Sequence, residues 1–311
     1  MKILVTGGLG FIGSNFILQM FEKYPKSKIV NVDAKFIGSN LNNLNDIKNN
    51  SNYKFIKSNI NNSKILDKEI SKSDAVINFA AESHVDRSIS GPKPFIDSNI
   101  LGTHNLLELI RKYDKKFIQI STDEVFGSLK KGSAKENDAF DPASPYAASK
   151  AAAEMLVNSY LKTYGCDVMI TRCTNNYGPR QFEEKLIPKV IFHALNDKKI
   201  PVYGTGKNIR DWIFVSDHCN ALLKVLFKGK KGESYNISAG NEFSNLKIIK
   251  KILKIIKKPT TLIEFTSDRL GHDFRYSLDS TKTRKSLNWK PSVSFDDGLE
   301  QTIKWYSNRR W

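Results

Sequence analysis

Residues 2–14, KILVTGGLGFIGS, hold the strongest structural signal in this sequence. A short apolar run leads into glycines at Gly7, Gly10 and Gly13, and a helical pattern follows. The first glycine permits a tight turn, the second lets the backbone approach a pyrophosphate, and the third lets helix and strand pack closely. The stretch therefore predicts a strand, a turn and a helix whose N-terminus faces phosphate groups.

Asp33 completes this pattern about 20 residues further on, where an acidic side chain accepts hydrogen bonds from a ribose 2′-hydroxyl. Its charge would repel a 2′-phosphate, so the predicted cofactor is NAD rather than NADP. A glycine turn that only packs, with Asp33 as a helix cap, and a site for another nucleotide are the alternatives. The residues predicted here for the cofactor are Gly7, Gly10, Phe11, Ile12, Gly13 and Asp33.

Strand-like and helix-like patterns alternate through the first half of the chain. This alternation predicts parallel strands with crossover helices on both faces, which is a doubly wound (Rossmann) α/β sheet. The predicted strands are 2–6, 28–33, 53–57, 75–80, 116–121 and 167–173, and the predicted helices are 11–24, 63–71, 94–113 and 145–164.

The pattern becomes shorter and less regular after residue 175. It predicts helices at 187–195, 217–227, 246–256 and 295–307, and strands at 201–203 and 211–215. We expect a smaller α/β substrate-binding domain here. The predicted NAD-binding domain is 1–175 with returning segments near 208–240, and the nucleotide-sugar-binding domain is about 176–207 and 241–311.

Composition excludes several classes of protein. The 311 residues are 40% hydrophobic and 26% charged, which is typical of a globular protein. No apolar run approaches the roughly 18 residues of a membrane span, and the N-terminal apolar run is too short for a signal peptide. The three cysteines are widely spaced, which indicates neither disulfides nor a metal site and favours the cytoplasm.

The formal net charge is +17, which favours anionic partners. The basic residues are spread along the chain, so we predict a lysine-rich solvated surface and no nucleic-acid binding. A nucleic-acid binder is the alternative that the charge alone leaves open.

Tyr146 and Lys150 form a Y-x-x-x-K pair on one helical face. A lysine ammonium beside a phenol lowers the pKa of the phenol, which can then accept a proton from an alcohol as hydride leaves the same carbon. Lys150 can also hold the nicotinamide ribose. A Y-x-x-x-K pair is common in unrelated proteins. It indicates catalysis here because a nucleotide-binding glycine motif precedes it in the chain.

Thr122, Asp123 and Glu124 follow the predicted strand 116–121, at the carboxyl edge of the sheet. Two adjacent carboxylates can divide the work of catalysis, one held protonated as a general acid and the other ionised as a base. A turn or helix-cap role for the same pair is the structural alternative.

These motifs together resemble the extended short-chain dehydrogenase/reductase family. Further segments carry the likeness, namely AAESHVDRSI at 80–89, TNNYGPR at 174–180 and DRLGHDFRY at 268–276. Within the family, the Asp-Glu pair points to 4,6-dehydration of a nucleotide sugar. The resemblance implies a hydro-lyase that converts dTDP-glucose to its 4-keto-6-deoxy product through bound NAD, for rhamnose-type deoxysugar synthesis. It also implies a homodimer that pairs through helices 94–113 and 145–164.

The resemblance implies a role for each matching residue. Tyr146 takes the C4 hydroxyl proton, Thr122 binds the C4 oxygen, Glu124 removes the C5 proton and Asp123 protonates the leaving C6 hydroxyl. The further cofactor residues are Asn59, Ile60, Ala80, Ala81, Ser83, Asn99, Tyr146, Lys150 and Asn176. The substrate residues are Ser83, His84, Thr122, Asn175, Lys185, Leu186, Pro201, Tyr203, Arg210, Asn245, Arg269, His272 and Tyr276.

Other functions on the same scaffold stay open. A UDP-sugar dehydratase would share every group, whereas a nucleotide-sugar 4-epimerase or decarboxylase needs no second acid and base. A non-enzymatic nucleotide-binding regulator would keep the glycine turn and dispense with the acid/base set.

Overall fold

Twelve strands and eleven α-helices make up the described part of the chain, residues 1–308 of this computed structural model. The strands are β1 (Lys2–Thr6), β2 (Lys28–Asp33), β3 (Tyr53–Lys57), β4 (Ala75–Asn78), β5 (Lys116–Thr122), β6 (Val168–Cys173), β7 (Asn175–Tyr177), β8 (Ile200–Tyr203), β9 (Ile209–Phe214), β10 (Ser234–Ile237), β11 (Glu242–Ser244) and β12 (Ile263–Thr266). The helices are α1 (Phe11–Lys23), α2 (Ser63–Ile70), α3 (Val85–Ser90), α4 (Lys93–Phe95), α5 (Gly102–Tyr113), α6 (Pro145–Tyr164), α7 (Leu186–Leu195), α8 (Val215–Lys228), α9 (Asn245–Ile256), α10 (Thr281–Leu287) and α11 (Phe295–Ser307).

The main sheet has seven parallel strands in the order β10-β6-β5-β4-β1-β2-β3. The predicted doubly wound fold is therefore confirmed. The strand order reverses between β1 and β4, and in such sheets ligands bind in the crevice at the carboxyl ends of the strands beside this point.

Alternation along the strands divides the core into two layers. On β1, Ile3 and Val5 face the layer that holds α1 and α8, while Leu4 faces the layer with α2, α5 and α6. On β5, Ile118 belongs to the first layer and Phe117 to the second. Helices thus cover both faces, and the nearly continuous apolar runs of these central strands follow from that double burial.

The remaining strands form two small sheets. One has the order β11-β9-β7, with β9 antiparallel to β11 and parallel to β7, and the other pairs β12 with β8 in parallel. A third core joins α7, α9 and α11 over these strands. The domain boundaries drawn from the sequence stay a prediction, and residues 309–311 of the predicted range 241–311 lie outside the described residues.

The predicted helix 94–113 is wrong in detail. The structure has α4, then a π-helical segment over Ile96–Leu101, and then α5. Apolar spacing alone does not distinguish 3.6 residues per turn from a single wider turn. The short helices α3 and α10 and the strands β7, β10, β11 and β12 were not predicted, because with three to seven residues each they show no clear periodic pattern.

No helix within residues 1–308 combines the length and apolarity needed to cross a membrane. Cys166, Cys173 and Cys219 are all buried free thiols.

Candidate active site

A cleft of about 320 Å³ runs along the carboxyl ends of the central strands. This volume lies at the lower end of the range of small-molecule sites. The predicted cofactor residues that line it are Gly7, Gly10, Phe11, Ile12, Gly13, Asp33, Asn59, Ile60, Ala80, Ala81, Ser83, Tyr146, Lys150 and Asn176. The cleft therefore brings together predicted cofactor residues from six separate segments of the chain.

The glycine turn leaves no room for side chains. A Cβ atom on Gly7, whose φ is +69°, would lie 2.6 Å from the Ala80 nitrogen, and one on Gly13 would lie 2.5 Å from the Gly7 oxygen. The first turn of α1 carries no acidic residue and no side-chain cap, so its amide groups and positive helix end stay available to an anion. These features fit the pyrophosphate of a dinucleotide.

Asp33 ends β2 and is buried at the cleft wall. Its Oδ2 accepts a hydrogen bond from the Leu9 amide at 3.0 Å, and its Oδ1 accepts from the Lys35 amide at 2.7 Å and from Ser39 Oγ at 2.9 Å. These three hydrogen bonds fix the carboxyl group beside the glycine turn, where a ribose-binding acid is expected.

Asn99 is the one predicted cofactor residue that does not line this cleft. It is buried in the π-helical segment, where its Oδ1 accepts from the Glu82 amide at 2.9 Å. Its Nδ2 donates to the Glu82 carbonyl at 3.0 Å and to Ser149 Oγ at 2.9 Å. Asn99 thus connects the loop after β4 to α6 without lining the cleft itself. This placement fits a residue that supports the cofactor-binding loop.

Asp123 and Glu124 open a 3₁₀ turn directly after β5. The Asp123 carboxyl is buried, one oxygen accepts from Thr122 Oγ1 at 3.1 Å, and Oδ2 has no protein partner. Burial, and then the charge of Glu124, raise the pKa of Asp123 to about 8. Asp123 therefore keeps its proton at neutral pH and can donate it.

Glu124 lies in a different electrostatic environment. Burial raises its pKa, but Arg210, Lys185 and Arg269 oppose that shift and favour the carboxylate. Its Oε2 lies 3.4 Å from the Tyr276 hydroxyl. Adjacent carboxyl groups with different surroundings are the arrangement in which one acts as acid and the other as base.

Tyr146 and Lys150 both lie buried on α6 and line the cleft. Lys150 Nζ donates to the Ile120 carbonyl at 2.6 Å, and burial lowers the pKa of Lys150 to about 8. Burial and the charge of Glu124 raise the pKa of Tyr146 well above its ordinary value. A hydrogen bond with Thr122 lowers this pKa by a smaller amount. The expectation that Lys150 lowers this pKa is therefore wrong, because desolvation by burial is the largest influence on the phenol.

The predicted substrate residues fall into three groups. Those that line the cleft are Ser83, His84, Thr122, Asn175 and Lys185. Lys185 Nζ donates to the Ser83 carbonyl at 2.8 Å, which joins two of them. Their roles in binding stay predictions.

A second group extends away from Glu124: Tyr276 contacts Glu124, and Arg210 and Arg269 act on it electrostatically. The guanidinium carbon of Arg210 is 4.2 Å from the centre of the Tyr276 ring, and the Tyr276 hydroxyl donates to Asp273 at 2.6 Å. Asp86 connects the neighbouring members, because it accepts from Arg269 and from the Tyr203 hydroxyl, both at 3.3 Å. His272 follows in the same loop, with its Nδ1 2.6 Å from Asp268.

Leu186, Pro201 and Asn245 lie outside the cleft lining. Leu186 packs against the core of α7, α9 and α11. Pro201 lies in β8, paired with Glu264, and Asn245 begins α9 with its amide bonded to the Asn208 carbonyl. Their substrate-binding roles stay predictions.

Asp86 and Arg87 are adjacent in the chain and opposite in charge, but they do not form a local ion pair. Asp86 bonds to Arg269 and Tyr203, while Arg87 pairs with Glu184 at 2.5 Å. Asp273 was also missed, although it lies within the quoted segment 268–276. Pairings between residues so far apart in the chain leave no local signal in the sequence.

Among the described residues, no group of three His, Cys, Asp or Glu side chains is placed to hold a metal ion.

Comparison with known proteins identifies the family of this chain. A family model for GDP-mannose 4,6 dehydratase matches residues 4–302. The low-salt glycan biosynthesis protein Agl12 of Haloferax volcanii is 46% identical over 307 residues, which are 98% of each chain. The dTDP-glucose 4,6-dehydratase of Escherichia coli is 43% identical over 345 aligned residues, covering 100% of this chain and 95% of that one.

A solved structure gives the same result. The dTDP-glucose 4,6-dehydratase of Bacillus anthracis, in complex with NAD, has 46% identity and a TM-score of 0.93, and the match covers 99% of this chain and 96% of that chain. The resemblance drawn from the motifs is thus confirmed over nearly the whole length. This chain belongs to the GDP-mannose 4,6 dehydratase family.

Proposed function

We propose that this chain is a dTDP-glucose 4,6-dehydratase that works with NAD. The observation that carries the proposal is the buried Asp123 carboxyl with its unpartnered oxygen, beside Glu124 and in one cleft with Tyr146. An epimerase on this scaffold has no use for a second acid and base. The relatives named above support dTDP-glucose as the substrate.

The residues of the chain divide into two sets of chemical roles. NAD, when bound, supplies a reversible hydride acceptor. Tyr146 would take the C4 hydroxyl proton. Because burial alone raises the pKa of this phenol, the role requires positive charge near the phenol to favour the phenolate, and Lys150 is the cation one helical turn away. Thr122 hydrogen-bonds the same oxygen.

The second set removes water from C5 and C6. Three nearby cations favour the ionised form of Glu124, so Glu124 takes the C5 proton made acidic by the C4 ketone. Asp123 is protonated at neutral pH and donates to the C6 hydroxyl, so that water leaves rather than hydroxide. General acid–base groups of this kind typically contribute about 10²–10⁴-fold each.

The same cations suit a nucleotide diphosphate. Arg210, Arg269 and Lys185 all act electrostatically on Glu124, so they lie close to the reacting end of the cleft. Arginine binds phosphate oxygens through two parallel hydrogen bonds. We assign these residues to the diphosphate of the substrate.

A homodimer is part of the proposal. Leu101, Met155 and Tyr164 expose 52%, 66% and 50% of their surfaces, and they lie in or beside the predicted pairing helices α5 and α6. Apolar side chains of this size on neighbouring helices are typical of a protein contact. A cytoplasmic location and the lack of nucleic-acid binding stay predictions.

Incubation of the purified protein with dTDP-glucose and, separately, with UDP-glucose tests the proposal. We expect mass spectrometry to show loss of one water from dTDP-glucose and little from UDP-glucose. Loss from UDP-glucose instead would keep the reaction and replace the substrate. A 4-epimer, or no product from either sugar, would contradict the dehydratase assignment.

A further inference from the structure

One buried ion pair lines no part of the cleft described above, although the charge of Glu154 raises the pKa of Lys150. Glu154 lies on α6, one turn beyond Lys150, and Arg172 lies on β6. Their side chains are 0% and 3% exposed. Arg172 Nε lies 3.0 and 2.9 Å from the two Glu154 oxygens, and its Nη2 lies 2.6 Å from Oε2, so the contact is a fork.

The same guanidinium reaches the catalytic turn. Its carbon lies 5.0 Å from the centre of the Phe126 ring and 5.3 Å from that of Phe140. Phe126 is the last residue of the 3₁₀ turn that Asp123 opens. Arg172 Nη1 also donates to the Glu136 carbonyl at 3.0 Å, within the loop that leads to α6.

Arg172 therefore touches every element that carries acid/base chemistry. Through Glu154 it holds α6, the helix of Tyr146 and Lys150. Through Phe126 it holds the turn of Asp123 and Glu124. Its own strand pairs with β5, with Arg172 opposite Ser121.

Stability alone gives a weak reason for this arrangement. Burial of two charges costs much of what their attraction returns, and apolar pairs of similar volume are often as stable. A planar guanidinium offers a fork at its edge and two faces for aromatic rings, which an apolar side chain lacks. These are features that fix orientation.

We infer that Glu154 and Arg172 are positioning residues that fix the turn of Asp123 and Glu124 relative to the helix of Tyr146 and Lys150. The inference rests on the proposed function, because oxidation uses the helix and water loss uses the turn. One sugar must lie within reach of both. A shift of about 1 Å between them can cost about 10²-fold in rate.

The test uses a double variant, Glu154→Met with Arg172→Met, which removes both charges and leaves no unpaired one. We expect kcat for water loss to fall about 10–100-fold, with KM within about threefold of the wild type. Quenched samples should accumulate the oxidised but still hydrated sugar, which mass spectrometry separates from the dehydrated product. A merely structural pair would not change this ratio.

Arg172→Lys is the conservative variant. It keeps the charge but cannot form the fork or stack between two rings. We expect an intermediate loss of kcat, about tenfold, with the same accumulation of hydrated keto sugar. This variant also decides the question if the double variant does not fold.

Glu69→Gln is the matched control. Glu69 is buried on α2 and pairs with Lys54 at 2.7 Å, on a helix that carries no acid/base residue. It should lower thermal stability and leave kcat and the ratio of hydrated to dehydrated product unchanged.

Two results would count against different claims. A folded double variant or Arg172→Lys variant with wild-type kcat and product ratio would overturn the positioning role. A wild-type enzyme that dehydrates neither dTDP-glucose nor UDP-glucose would overturn the proposed function instead.

Discussion

At the scale of single residues, Asp123 shows how burial converts a common side chain into an acid that works at neutral pH. Its carboxyl is closed off from water and lies beside a second carboxylate, so ionisation would place two negative charges together in a region of low polarity. A carboxyl held in this way donates a proton where a solvent-exposed one would already have lost it.

Asp123→Asn should therefore slow water loss by about 10²–10⁴-fold, the usual contribution of a general acid. It should leave oxidation at C4 largely intact, since Tyr146 and Lys150 are unchanged. The measurement is the rate at which the oxidised, hydrated sugar forms, compared with the rate at which the dehydrated sugar forms. Equal slowing of both rates would contradict the role of Asp123.

The same substitution should change stability in a pH-dependent way. Below about pH 4 the carboxyl is protonated in both the folded and the unfolded chain, and burial carries no ionisation penalty. As pH rises toward 8, the unfolded chain releases this proton while the folded one keeps it, so the wild type loses stability. Above about pH 8 the loss is complete.

Asp123→Asn has no proton to release over this range. We expect its advantage over the wild type to grow from near zero at pH 4 to about 1–4 kcal/mol at pH 8. Urea unfolding at several pH values, at matched NAD occupancy, measures the difference. A gap that stays constant with pH would show that Asp123 does not titrate as its surroundings indicate.

At the scale of elements, the π-helical segment Ile96–Leu101 places Asn99 where three hydrogen bonds join the β4 loop to α6. The loop residues Ala80, Ala81 and Ser83 line the cleft, and their placement depends on Asn99, which does not line it. A wider helical turn at a functional site is a recurrent feature of proteins.

Asn99→Ala should destabilise the fold by about 1–3 kcal/mol, because it leaves the Glu82 amide and carbonyl without these partners. It should also weaken NAD binding by about tenfold, which corresponds to about 1.4 kcal/mol of lost preorganisation. Calorimetric titration with NAD measures the second effect. Ser73→Ala, which removes a buried bond to the Glu69 carbonyl at 2.8 Å, is the control and should leave NAD affinity unchanged.

At the scale of the whole molecule, exposed apolar residues on α6 and directly before α5 mark the face that we propose for dimerisation. Met155→Glu places a charge on this face, and burying it in an interface would be costly. We expect light scattering to show a monomer for this variant and a dimer for the wild type. Phe265→Glu alters a residue that is 58% exposed on β12, and it should remain a dimer. A wild-type monomer would contradict the proposal.

The sequence predicted the central sheet well for a physical reason. Strands such as β1 and β4 are buried on both faces, so each appears as a short continuous apolar run, and the helices between the strands bury one face each. The glycine turn, Asp33, the Asp123–Glu124 pair and Tyr146–Lys150 were equally visible, because each depends on residues close together in the chain. Strand direction alone predicts that the residues following each strand lie at the carboxyl edge of the sheet.

Only the tertiary structure decided what depends on distant parts of the chain. The partners of Asp86 are 117 and 183 residues away in the chain. The ion pair between Glu154 and Arg172 joins a helix to a strand, and no sequence pattern predicts it. The pKa values of Asp123, Lys150 and Tyr146 also depend on burial, which comes from the packing of whole layers rather than from neighbours in sequence. The sequence thus determined which groups are present and on which edge of the sheet they lie, while the folded chain decided their protonation and their partners, because desolvation and long-range contact exist only after folding.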